Sequence, residues 1–86
     1  MNNEKKLRDA VPYDFTNRPV TELQSNRRLT IEGCRGIAEY TDVSIKIKTS
    51  DGTAAVYGRG LNITYLSTTA IIVEGYINRI EFEEWR

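Results

Sequence analysis

The chain has 86 residues, enough for one small domain, and a domain of this size buries only about 60% of the surface that its unfolded chain exposes. It carries 12 Lys plus Arg against 12 Asp plus Glu, no histidine, and one cysteine, Cys34. This composition excludes an intrachain disulfide and any histidine-based triad or metal site, and the neutral balance lacks the basic footprint of a nucleic-acid binder.

Residues 1–28 read as a polar N-terminal arm, mostly irregular. Both prolines, Pro12 and Pro19, fall here, and "VPYDFTNRPVTELQSNRR" sustains neither a period of 2 nor one of 3.6. Val11, Tyr13 and Phe15 alternate, which permits a short edge strand docked on the body. "RPVTELQSN" permits another short stretch of either kind. The opening "MNNEKKLRDA" is followed by no apolar segment of a signal peptide, and no run reaches the roughly 18 apolar residues of a membrane span. The expectation is a soluble intracellular protein without direct membrane insertion.

The body, residues 29–86, reads as all-β. "LTIEG" alternates Leu29, Ile31 and Gly33 against Thr30 and Glu32. "GIAEY" follows, then a "TD" turn. "VSIKIKT" is the clearest strand, with Val43, Ile45 and Ile47 on one side and Ser44, Lys46 and Lys48 on the other. Asp51-Gly52 signals a type I′ hairpin. With those two residues as the loop, Ile47 pairs with Val56 and Lys46 lies beside Tyr57. "LNITYL" puts Leu61, Ile63 and Tyr65 on one face, and "STTA" is a loop. "AIIV" is apolar without alternation, so Ile71, Ile72 and Val73 ask for cover on both faces, from the domain or from a second chain. "INRIEF" places Ile80 and Phe82 together. Nothing after residue 28 reads as an amphipathic helix.

One pattern recurs three times: an aliphatic residue, a spacer and a glycine, as Ile31-Glu-Gly33, Val56-Tyr-Gly58 and Val73-Glu-Gly75. Each copy is followed by an aliphatic residue (Ile37, Leu61, Ile77) and closes on an aromatic one (Tyr40, Tyr65, Phe82). A glycine inside a strand marks a bulge, a corner or a close backbone approach. Gly33, Gly36, Gly52, Gly58, Gly60 and Gly75 are therefore read as structural. The predicted fold is a small curled antiparallel sheet, a roll or sandwich of about six short strands with glycine bends. The alternative is a short β-solenoid-like stack.

Chemistry-bearing constellations are sparse. "GRG" and "GCRG" lack the strand-to-helix setting and the lysine of a phosphate loop. Cys34 has Arg35 beside it, a cation able to activate a thiol, against the simpler reading of a thiol at a bend. Glu32 and Glu74 precede equivalent glycines and would make an acid/base pair only if their strands bring them together in a cleft. Tyr57, Tyr65 and Tyr76 with Arg59 and Arg79 would form a stacking platform for single-stranded nucleic acid, which the neutral charge argues against. Asn62-Ile63-Thr64 matches a glycosylation acceptor, which carries no weight without a secretion signal. No catalytic, cofactor or metal residue is assigned. The residues assigned to interaction are Ile71, Ile72, Val73, Tyr76 and Trp85, through edge pairing or sheet packing in a homo-oligomer, foremost a dimer.

Arg35-Gly36-Ile37, Glu39-Tyr40, the strand 43–49, Asp51-Gly52, the "VYGRGLNI" step and the closing "IIVEGYINRIEFE" occur in an order that resembles the YabP/YqfC family of sporulation proteins, closer to the YqfC branch. That resemblance implies a protein of endospore-forming bacteria, made in the mother cell and acting in its cytoplasm, that contributes to spore coat assembly or morphogenesis. It implies no enzymatic activity and no cofactor. For the YqfC branch it implies a membrane-bound sporulation protein as partner, which would hold the chain at a membrane surface.

Overall fold

The computed structural model describes residues 19–84, which form one antiparallel six-stranded sheet with no helix among the described residues. The strands are β1 (Val20–Gln24), β2 (Arg28–Glu32), β3 (Cys34–Tyr40), β4 (Ser44–Thr49), β5 (Gly52–Leu66) and β6 (Ala70–Glu84). Their order is β1-β2-β6-β5-β4-β3, so the long β5–β6 hairpin is central and β1 and β3 are the edges. The all-β reading holds and the strand count matches. The roll or sandwich gives way to a single open sheet, neither closed nor strongly curled, and the solenoid-like stack is not formed. Its shape comes from a local bend in the central hairpin.

β2 pairs with the first five residues of β6, and β4 with β5 from Thr53 to Tyr57. The flanking hairpins thus sit on opposite sides of the β5–β6 ribbon and near opposite ends. A straight 15-residue strand would span about 50 Å. Yet Cys34 N donates to Thr69 O at the ribbon's tip (3.4 Å), while Cys34 pairs with Thr49, whose hydroxyl bonds Gly52 at the ribbon's base. The ribbon is therefore bent back between its ends. Register shifts in β5–β6 fall between Tyr57 and Gly58, Arg59 and Asn62, and Ile63 and Tyr65, which places the bend at the glycines of the repeated pattern.

The bend closes one core. Leu29, Ile31, Ile71 and Val73 from the tip half join Ile45, Ile47, Ala54 and Val56 from the base half, all within 1% of full burial, with Leu61 and Ile77 at the corner. Alternation in β2 and β4 supplies these residues as the sequence pattern requires. Val43 departs from it: it lies in the β3–β4 turn and is exposed.

Three further expectations are corrected. Residues 20–28 of the supposed irregular arm contain β1 and the start of β2, joined by a tight turn in which Arg27 N donates to Gln24 O (3.2 Å). β1 is exposed at all five positions, so no apolar alternation betrays it. Residues 1–18, with Val11, Tyr13 and Phe15, lie outside the described residues. In the β4–β5 hairpin the loop is Ser50-Asp51, and Lys48 pairs with Thr53 and Ile47 with Ala54. The Thr49 hydroxyl accepts from the amides of Asp51 and Gly52, both at 3.2 Å, and this side-chain turn displaces the type I′ loop by one residue. Lys46 consequently opposes Ala55 and reaches Glu39 rather than Tyr57. Finally, the bulge after Ile63 turns Tyr65 off the Leu61–Ile63 face, and it pairs with Ile72 on the outer side.

Candidate functional site

At the corner, β5 and β6 present amides that no strand neighbour can take. Two turn tips satisfy them. Gly58 N and Leu61 N donate to Val43 O (3.1 Å) and Asp42 O (2.8 Å), and Gly75 N and Ile77 N donate to Arg27 O (3.0 Å) and Asn26 O (2.8 Å). Gly75 is required here, since a Cβ on it would lie 3.0 Å from both Gly60 C and Leu61 Cα. Close backbone approach is thus why the third copy of the pattern carries its glycine.

On the outer face of this corner the side chains of Ile72, Glu74 and Tyr76 point the same way, because β6 keeps its alternation there. Glu74 receives Arg28 Nε at 2.7 Å, with Nη2 at 2.6 Å. Tyr76 is 45% exposed and carries two guanidinium groups, Arg27 at 4.3 Å and Arg59 at 5.1 Å from the ring centroid. Glu74, Tyr76 and the three arginines around them, with the bare backbone of Gly60 and Gly75, line an open cavity of about 490 Å³. Nearby, the Tyr40 hydroxyl donates to Asn62 Oδ1 and accepts from Ile63 N, both at 3.0 Å, and pins β3 against the far side of β5.

The residues assigned to interaction divide. Ile71 and Val73 are core residues, 1% and 0% exposed, and present nothing to a partner. Ile72 is half-buried on the outer face between Thr30 and Tyr65. Tyr76 is accessible. Trp85 lies outside the described residues. The glycines fall at the β2–β3 junction (Gly33), within β3 (Gly36), at the start of β5 (Gly52) and at the corner (Gly58, Gly60, Gly75). Arg27 was not legible as a site residue, because it reaches Tyr76 only through the β1–β2 turn. The "NRR" run before β2 was its one local signal.

The candidate chemistry does not converge. Glu74 stands opposite Arg28 and Glu32 opposite Ala70, four positions apart on the same ladder, or about 13 Å. That exceeds the spacing of known carboxylate pairs. Cys34 is 7% exposed, and burial pushes its thiol above the usual range, against activation by Arg35. The tyrosine platform is divided as well: Tyr57 is stacked by Arg79 (4.4 Å), which is also bound to Glu81 (3.0 Å). No group of three or more metal-ligating side chains occurs among the described residues. Nor does any described helix have the length and apolarity to cross a membrane.

Comparison with known proteins gives one match. Residues 17–86 match the family model of the YabP family, and the chain belongs to that family. The match takes in β1 and part of the stretch read as an arm. No curated protein and no solved structure matches.

Proposed function

We propose, with membership of the YabP family as the premise, that this chain is a non-enzymatic protein of endospore formation, an assembly module that self-associates or docks on a partner. Family membership points to sporulation. The assembly role rests on one observation above all. β2 leaves β6 at Glu74, and from Asn78 to Glu84 β6 has a strand neighbour on one side only among the described residues. Phe82 in this stretch is 64% exposed beside the buried Ala54. An open edge with a large apolar residue is a template for pairing with another chain.

The finer reading places the chain in the YqfC branch, in the mother-cell cytoplasm, as a homo-oligomer with a dimer foremost. A membrane-bound sporulation protein would hold it at a membrane surface. The particle mass by light scattering at micromolar concentration tests the self-associating form, and a pull-down with the membrane partner's soluble part tests the docking form. One chain per particle together with no capture refutes the proposal. The single-stranded nucleic-acid alternative requires bases to displace Arg79 from Tyr57 and Arg27 and Arg59 from Tyr76. Oligonucleotide retention that falls with salt would support it.

A further inference from the structure

We infer that the Arg27–Tyr76–Arg59 cleft receives the acidic end of β6, Glu83 and Glu84, from a second copy of this chain. The inference rests on the self-associating form of the proposed function and names its contact.

The cleft is electrostatically incomplete. Two guanidinium carbons around one ring lie at most on the order of 9 Å apart, within the screening length of physiological salt. Neither has a carboxylate partner among the described residues. The one acid lining the cavity, Glu74, is already held by Arg28. Attraction to the ring face holds each cation in place, and its outward N–H donors meet no side-chain acceptor among the described residues. Planar guanidinium forks in a shallow cavity suit carboxylates on an extended segment.

The same chain carries the complement. Among the acids of β6, Glu81 is bound by Arg79 and Glu74 by Arg28, whereas Glu83 and Glu84 are exposed with no cationic partner among the described residues. Glu83 lies seven positions along the strand from Tyr76, about 23 Å, so a copy cannot bring its own acidic end to its own cleft. Complementary sites at two places on one molecule allow a two-fold pair in which each cleft takes the acidic end of the other copy, the dimer placed foremost above. Exposed ion pairs alone contribute little, and Phe82 beside the acidic residues supplies apolar surface to be covered.

The test is sedimentation of the full chain at low and high salt. The wild type is expected to associate at low salt and to disperse as salt rises. Arg27→Glu with Arg59→Glu, or Glu83→Lys with Glu84→Lys, is expected to raise the apparent dissociation constant at least about tenfold. All four substitutions in one chain are expected to restore association, which also shows that the reversed side chains are compatible with folding. Circular dichroism verifies each variant. A wild type that stays a single chain at low salt overturns both this contact and self-association. A wild type that associates, with folded reversals that leave its mass unchanged, overturns the contact alone, as does a folded fourfold variant that fails to recover.

Discussion

Gly58 and Gly60 stand two residues apart in β5, and alanine should act on them by different physics. A Cβ on Gly58 would overlap the carbonyl oxygen of Tyr76 and lie 2.9 Å from its carbon and 3.2 Å from Ile77 Cα, with no unusual φ to accommodate. Both neighbours are backbone, so relief requires β6 to retreat by more than an ångström. That takes the flanking ladder bonds beyond hydrogen-bonding range. About two such bonds at about 1 kcal/mol each, with overpacking of about 1–3 kcal/mol, give a loss of roughly 3–5 kcal/mol. A Cβ on Gly60 meets nothing within 4 Å, but φ is +59°, so Gly60→Ala should cost only the left-handed penalty of about 1–2 kcal/mol. With a urea slope of about 1 kcal/mol per molar for a domain this small, the midpoint should fall by about 1–2 M for Gly60→Ala and about 3–5 M for Gly58→Ala. The assay is urea unfolding followed by circular dichroism. Equal midpoints for the two variants would refute the close-approach account of the corner.

Ile71→Lys should unfold the body, because it buries an unpaired charge in the core, whereas the half-buried, outward-facing Ile72→Lys should cost roughly 1 kcal/mol or less. Circular dichroism separates the two, and an unfolded Ile72→Lys would contradict the assigned faces. The Cys34 thiol should react slowly with a disulfide reagent in the native protein and quickly in denaturant. Its folded pKa is raised above the ordinary 9.0 by burial, so its contribution to stability is complete below that pH and is lost as pH rises through the folded value. Fast native labelling at pH 8 would contradict this. Glu74→Gln should lower stability by no more than about 1 kcal/mol, since both partners of the Arg28 bridge are partly exposed. A urea midpoint lowered by several molar would show a deeper role.

Much of the sheet was legible because one face is buried. Period 2 exposes Ile45 and Ile47 in β4 and Leu29 and Ile31 in β2, and the glycine pattern marks where β5 and β6 bend. The remainder failed for local physical reasons. β1 carries no buried residue, so hydropathy could not reveal it. The β4–β5 register slipped by two because Thr49 folds its hydroxyl over the loop, a contact that competes with the Asp-Gly signal. Tyr65 changed face through a bulge that its own residues do not announce. In "AIIV" the lack of alternation asks for cover from the domain or from a second chain, and for Ile71 and Val73 the chain's own bent core supplies it.

Arg27 joins the corner to the cleft. Its carbonyl accepts the Gly75 amide, while its guanidinium lies over Tyr76. The backbone bond fixes the turn whatever the side chain is, so reversing the charge should leave the corner bonded and alter only what the cleft attracts. The reverse does not hold. A substitution that opens the corner, such as Gly58→Ala, displaces the backbone that sets Tyr76 and Arg59 against Arg27. If the contact between copies is as inferred, association should fall in step with unfolding for corner variants. For Arg27→Glu with Arg59→Glu it should fall at an unchanged urea midpoint. A single cause for both losses would show instead that the cleft matters to the domain only as part of its packing.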